Sequence, residues 1–137
     1  MFTTQFFMPM IPPTVTFQAK ELAVIKGRPV TFDSAELKAI KEKLMGALAS
    51  YVPRERLAGP IRLMVKWCFP AGDKHSDGEW KITKPDVDNL QKALMDCMTK
   101  LRFWKDDAQV CSLVVEKFWS EVPGIFVCIE QLGGDSA

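Results

Sequence analysis

A turn that carries two carboxylates directly before a helical pattern constrains this chain more than any other feature. Residues 84–89 read KPDVDN, and Pro85 biases the residue before it towards extended backbone. Asp86 then falls at the N-cap of a helix and Asp88 in its first turn, where the helix dipole favours negative charge. The segment therefore predicts a strand-to-helix turn, and capping alone is one explanation of its acids.

A second acidic pair follows the helix. The helix is predicted from Val87 to Leu101, because apolar residues recur along one of its faces. That apolar stripe consists of Leu90, Leu94, Cys97 and Leu101. Asp106 and Asp107 then begin the next strand. If this strand lies beside the helix, it is expected to return Asp107 to the neighbourhood of Asp86 and Asp88.

The remaining pattern predicts a single α+β domain over residues 1–137, with a mixed sheet and two main helices packed on it. A chain of 137 residues is long enough to bury a core of its own. Extended runs are predicted at Thr4–Met8, Val15–Val24, Arg28–Phe32, Ile61–Phe69, Val110–Phe118 and Ile125–Gln131. Lys26-Gly27 is a predicted hairpin turn, Asp33 or Ser34 caps the first helix, and residues 133–137 form a tail.

Composition argues against several classes of protein. The chain is 47% hydrophobic and 26% charged, as in soluble globular proteins, and no apolar run approaches the ~18 residues that cross a membrane. The N-terminal residues lack the basic region and cleavage site of a signal peptide, so a cytoplasmic protein is expected. A formal net charge of +1 argues weakly against a nucleic-acid partner. Four cysteines without a C-x-x-C spacing argue against a zinc site or a redox pair.

Carboxylates that converge at such a corner indicate a divalent cation. Three aspartates brought together would raise one another's pKa unless a cation neutralised them. Oxygen ligands without thiolate or imidazole suit Mg²⁺, or Mn²⁺ in its place, better than zinc. Lys92 lies one helical turn after Asp88, where it would stabilise charge that develops on a phosphate. The residues alone thus indicate metal-dependent phosphoryl chemistry.

The same residues resemble one known family. The block from residue 84 to residue 110 contains KPDVDNLQKAL, then Asp96, then FWKDDAQV, and it is closely similar to the RusA family of Holliday junction resolvases. The resemblance implies a small homodimeric endonuclease that binds four-way DNA junctions and acts in recombination and repair. It also implies paired, symmetric nicks in two opposed strands, with Mg²⁺ or Mn²⁺ as cofactor. A two-fold protein matches a junction whose arms are related by two-fold symmetry.

By position, the catalytic residues of the family fall on four residues of this chain. The resemblance makes Asp86, Asp88 and Asp107 the metal ligands and Lys92 the essential lysine. Asn89 and Asp106 match the motif as well, and they are assigned orienting roles around the metal ligands.

Basic residues that flank the acidic corner are candidate contacts to DNA phosphates. They are Lys74, Lys81, Lys84, Arg102 and Lys105. Residues 70–84, which contain three of them, are predicted to form a polar, mobile loop. Phosphate contacts release counterions, so DNA binding is expected to weaken as the salt concentration rises.

Two other functions are consistent with these residues. The first is a metal-dependent phosphoesterase or nuclease that acts on another DNA structure, such as a flap. The second is a non-catalytic DNA-binding or protein-interaction module whose acids only cap helices. Cleavage of a four-way junction, compared with duplex and flap DNA, distinguishes all three.

Overall fold

The computed structural model of the protein describes residues 2–14, 20–25 and 28–133. Its elements in chain order are β1 (Thr3–Pro9), β2 (Lys20–Ile25), β3 (Arg28–Asp33), α1 (Ala35–Leu48), β4 (Ile61–Pro70), α2 (Val87–Lys100), β5 (Val110–Ser120) and β6 (Gly124–Gln131). The predicted α+β class is confirmed. The predicted turn at Lys26-Gly27, the first part of the second predicted strand (residues 15–19) and tail residues 134–137 lie outside the described residues.

The strands form a four-stranded mixed sheet in the order β1-β6-β4-β5, and β2 and β3 form a separate antiparallel pair. β4 pairs in parallel with β5 and antiparallel with β6. Because α2 is the crossover between two parallel strands, it runs antiparallel to both of them. The beginning of α2 therefore lies near the end of β5, and the end of α2 lies near the beginning of β5.

The core lies between this sheet and the two helices. Along β4, buried and accessible residues alternate, as expected for a strand with one face on the core. α2 buries more than its predicted apolar stripe, since Asn89, Gln91 and Ala93 are buried as well. α1 packs beside α2 and covers part of its surface. Two neighbours, the sheet and α1, thus fix the helix that begins at the acidic turn.

The cap predicted for α1 is confirmed. Ser34 is the N-cap, and its hydroxyl oxygen accepts a hydrogen bond from the backbone N–H of Leu37 at 3.2 Å. No helix among the described residues is long and apolar enough to span a membrane.

The second half of β5, an edge strand, is covered by the loop that precedes α2. The backbone N–H groups of Gly78 and Lys81 donate to the carbonyls of Trp119 and Lys117, at 2.8 and 3.2 Å. The N–H of Trp119 donates in turn to the carbonyl of Glu79 at 2.8 Å. The loop predicted to be mobile is therefore joined to the sheet over residues 78–81.

The first half of β5 is an open edge. Within the described chain, no backbone hydrogen bond joins residues 111–116 to a segment outside the sheet. Leu113 and Val114 are 46% and 38% exposed there. An open strand edge with exposed apolar side chains is a surface on which another strand can pair.

Candidate active site

Asp86 and Asp88 lie at the start of α2, and both are exposed. Asp86 occupies the N-cap position, but its side chain makes no capping hydrogen bond. Neither carboxylate forms an ion pair with any residue in the described ranges. Capping alone therefore does not explain Asp86, whose oxygens are free to bind a ligand.

Lys92 is exposed one helical turn after Asp88, and it too forms no ion pair with a described residue. Its ammonium group is thus available to donate to a phosphate oxygen. Asp96, one turn further along, serves the fold instead. It accepts a hydrogen bond from the Lys41 ammonium group of α1 at 3.3 Å and so ties the two helices together.

Asp106 holds the turn that presents Asp107. Its carboxylate accepts from the backbone N–H of Ala108 at 2.9 Å, and the Gln109 side-chain oxygen accepts from the N–H of Asp106 at 3.2 Å. These two bonds form a capping box at the start of a short 3-10 turn. The Asp-x-x-Gln spacing of residues 106–109 is the sequence signal for it. Asp107 has no part in the cap.

The Asp107 carboxyl is half-buried, and its surroundings disfavour its charge. Burial raises the pKa of Asp107, and the hydrogen bond and negative charge of Asp106 and the charge of Asp96 raise it further. An ionised carboxylate in surroundings that disfavour its charge destabilises the fold, and a bound cation would offset that cost.

Replacing Asp107 with Asn is therefore expected to stabilise the fold at neutral pH. Because the folded-state pKa of Asp107 is raised, its stabilising contribution is present below the unfolded pKa, ~3.9, and is lost as pH rises through the folded value. At pH 7 the Asp107→Asn variant should melt at a higher temperature than wild type, and the difference should shrink towards pH 4. Thermal unfolding followed by circular dichroism measures it. Asp106→Ala, which removes the cap, should instead lose about 1 kcal/mol.

The structure does not bring Asp107 to Asp86 and Asp88 within one chain. α2 has 14 residues and is ~21 Å long at 1.5 Å per residue; Asp86 precedes its beginning, and Asp107 follows its end. The part of β5 beside Asp86 is its second half, because the Lys117 ammonium group donates to the carbonyl of Pro85 at 2.7 Å. Strand direction thus places the start of β5 at the far end of the helix.

A three-carboxylate metal site does not fit a single chain. Among the described residues, no group of three or more His, Cys, Asp or Glu side chains is placed to hold a metal ion. The assignment of Asp86, Asp88 and Asp107 as metal ligands stays a prediction. It requires that something other than the fold of one chain brings Asp107 close to Asp86 and Asp88.

Four of the five candidate phosphate contacts are exposed, namely Lys74, Lys84, Arg102 and Lys105. Lys81 is buried, at 8% exposure. Its ammonium group donates to the Thr83 hydroxyl at 2.6 Å and lies 4.1 Å from the ring centroid of Trp119. Burial and the neighbouring charge of Lys117 lower the pKa of Lys81. This burial disfavours Lys81 as a direct contact to DNA.

Arg54 and Arg56 are basic residues whose position the sequence did not reveal. Both line an open groove of about 910 Å³ beside Gln131, and Arg56 also lines an adjoining groove of about 810 Å³ that reaches Lys105 and Asp106. Neither arginine forms an ion pair with a described residue. Tertiary packing creates the groove, so no local motif marks these residues.

Comparison with known proteins identifies the class to which this fold and site belong. The family model described as endodeoxyribonuclease RusA matches residues 11–130. A protein of Lactococcus phage r1t, named crossover junction endodeoxyribonuclease rusA, is 31% identical over 133 residues, which cover 96% of this chain and 98% of the relative. The chain belongs to the endodeoxyribonuclease RusA family.

Two further relatives are similar over shorter segments. The crossover junction endodeoxyribonuclease RusA of Escherichia coli (strain K12) is 33% identical over 87 residues, or 64% of each chain. The uncharacterized protein YqaN of Bacillus subtilis (strain 168) is 32% identical over 111 residues, or 73% of this chain and 78% of the relative.

Proposed function

We propose that this protein is a Mg²⁺-dependent endonuclease that resolves Holliday junctions by paired, symmetric nicks, in recombination and repair in the cytoplasm. Membership of the endodeoxyribonuclease RusA family carries the proposal. Two relatives are named crossover junction endodeoxyribonucleases, which supports a four-way junction as the substrate. Asp86, which makes no capping hydrogen bond, and the exposed Asp88 and Lys92, which lie one turn apart on α2, support phosphodiester hydrolysis.

The residues of the chain have separate parts in this function. Asp86, Asp88 and Asp107 are the proposed ligands of Mg²⁺, and Mn²⁺ is the proposed substitute because it has a similar preference for oxygen donors. When bound, such a metal polarises the phosphodiester and lowers the pKa of the attacking water. Lys92 donates to a phosphate oxygen and stabilises the negative charge that develops there. Asp106 keeps the turn of Asp107 in shape through its cap.

A homodimer supplies the proximity that one chain lacks. The open half of β5, with its exposed Leu113, offers an edge for antiparallel pairing with a second copy. Pairing centred on Leu113 sets residue 107 of one subunit opposite residue 119 of the other. The end of β5 that contains residue 119 adjoins the turn before Asp86, because Lys117 donates to the carbonyl of Pro85. Each proposed site then takes Asp86 and Asp88 from one subunit and Asp107 from the other.

The dimer also doubles the basic surface. The exposed candidates Lys74, Lys84, Arg102 and Lys105 occur once in each subunit, as do Arg54 and Arg56 in the groove. Arginine binds phosphate oxygens through two parallel N–H donors, so the groove supports contact with the DNA backbone. This local surface answers the objection raised by a formal net charge of only +1.

Cleavage of a mobile four-way junction tests the proposal. With Mg²⁺ we expect nicks at symmetric positions in two opposed strands, and cleavage of duplex and flap DNA at least about 100-fold slower, because only the junction presents two sites in two-fold register. EDTA should abolish cleavage, and Mn²⁺ should restore it. Equal cleavage of flaps would favour the metal-dependent phosphoesterase. Salt-dependent junction binding without cleavage in either metal would favour a non-catalytic binding module.

A further inference from the structure

One lysine of β5 fixes the turn that leads to Asp86. The Lys117 ammonium group donates to the carbonyl oxygen of Thr83 at 2.6 Å and to that of Pro85 at 2.7 Å. Pro85 immediately precedes Asp86. Lys81 adds a third bond, from its ammonium group to the Thr83 hydroxyl at 2.6 Å. Two ammonium groups therefore hold one short turn at the entrance to the acidic helix.

Little else holds this turn. Ile82 is 92% exposed, and Thr83 and Lys84 are exposed as well. In the described part of the chain, the two bonds from Lys117 are the hydrogen bonds that tie residues 82–85 to the sheet, and the bond from Lys81 lies within the loop. The backbone pairing of the loop with β5 stops at Lys81. The position of the turn thus depends on the lysines and on the burial of Pro85.

The arrangement is electrostatically costly. Neither Lys81 nor Lys117 forms an ion pair within the described ranges. Burial lowers the pKa of Lys81, and the charge of Lys117 lowers it further. Like charges held together raise the free energy of the fold unless dipoles or rings offset them. Here the carbonyls of the turn and the ring of Trp119, 4.1 Å from the Lys81 ammonium group, supply that offset.

We propose that Lys117 is a positioning residue for DNA cleavage. It ties the turn to β5, which pairs with β4 along its length, and so sets where Asp86 and Asp88 stand relative to the scissile phosphate. The role is positional because two of the three ammonium donors of Lys117 are engaged by backbone carbonyls of the turn. This inference rests on the proposed junction cleavage, which supplies the reaction that Lys117 serves.

The test is Lys117→Met, which keeps the aliphatic stem and removes both bonds. We expect kcat for junction cleavage to fall about 100-fold, the cost of a small misplacement of reacting groups. The KM for the junction should change less than about threefold, because the contacts that bind the substrate in its ground state are retained. Lys117→Arg, which keeps donors at this position, should recover part of the lost rate. Thr83→Val, which removes only the Lys81 contact, should lose less than Lys117→Met.

Amide hydrogen exchange gives a second measurement that does not depend on activity. The hydrogen-bonded amides that flank the turn are those of Lys81, which donates to the Lys117 carbonyl, and of Leu90, which donates to the Asp86 carbonyl. Their exchange should speed up in Lys117→Met and stay unchanged in Lys43→Met, an exposed lysine on α1. A normal kcat in Lys117→Met, or a raised KM with kcat unchanged, would overturn the positioning role. If wild type cleaves no junction, the proposed function fails; unchanged exchange in Lys117→Met would separately show that Lys117 does not hold the turn.

Discussion

Mixing the Asp88→Asn and Asp107→Asn variants, each inactive alone, is expected to restore about one quarter of wild-type nicking activity. In a shared site, the heterodimer has one site with both substitutions and one site with neither. Random exchange of subunits makes about half of the dimers heterodimers, and half of the sites in each are intact. A heterodimer with one working site nicks one strand, so the product is a nicked junction. With a supercoiled plasmid that carries a cruciform as substrate, one nick gives nicked circular DNA, whereas paired nicks give linear DNA.

A mixture of Asp86→Asn and Asp88→Asn is the matched control. Both substitutions lie on the same side of the proposed shared site, so every site in their heterodimer carries one of them and no activity should return. Co-expression with two affinity tags isolates each heterodimer, and its mass confirms the dimer. If the purified heterodimer of Asp88→Asn and Asp107→Asn shows no nicking activity, each site is built within one chain.

Asp88→Asn by itself is expected to slow junction cleavage at least about 100-fold, on the scale of removing one preorganised electrostatic group from an active site. Junction binding should persist or tighten, because the substitution removes a negative charge beside the DNA phosphates. Asp88 is exposed and unpaired within the described residues, so the fold should lose no more than the helix-dipole contribution, about 0.3–1 kcal/mol. Single-turnover cleavage and fluorescence anisotropy separate the two effects.

Asp73→Asn is the control for Asp88→Asn. Asp73 is an exposed acid in the loop before α2, and its substitution changes net charge by the same amount. It should leave the cleavage rate within a factor of about two, as for an exposed charge that is not a proposed metal ligand. Equal cleavage by wild type and Asp88→Asn would remove Asp88 from the catalytic assignment.

Local signals in the sequence were sufficient for the elements. The stripe of Leu90, Leu94 and Cys97 predicted α2, which the structure places at Val87–Lys100. Ser34 caps α1 as its position before an apolar periodic run indicated. Alternating burial along Ile61–Pro70 matches the strand predicted there. Each of these features depends on residues within a few positions of one another, so the period and the cap can be read directly.

The acidic corner was predictable in kind but not in arrangement. Asp86 is the N-cap residue of α2, and Asp88 and Lys92 are exposed on the helix, as their spacing predicted. The expected convergence with Asp107 in one chain is absent from the described residues. Local sequence patterns predict that a helix is followed by a strand. The direction of that strand relative to its neighbours decides which end of the strand lies beside Asp86 and Asp88. Here parallel pairing of β4 and β5 places Lys117, not Asp107, beside the turn.

The sequence by itself determined the family, the two helices, the strands and the types of residue available for chemistry. Only the tertiary structure decided the strand order, the groove that gathers Arg54 and Arg56, the burial of Lys81 and the bonds from Lys117 to the turn. The physical reason is the distance along the chain over which each kind of interaction acts. Helical periodicity, caps and turn residues act through neighbouring positions, whereas a contact such as Lys117 to Pro85 joins residues 32 positions apart and forms only when the sheet sets the register.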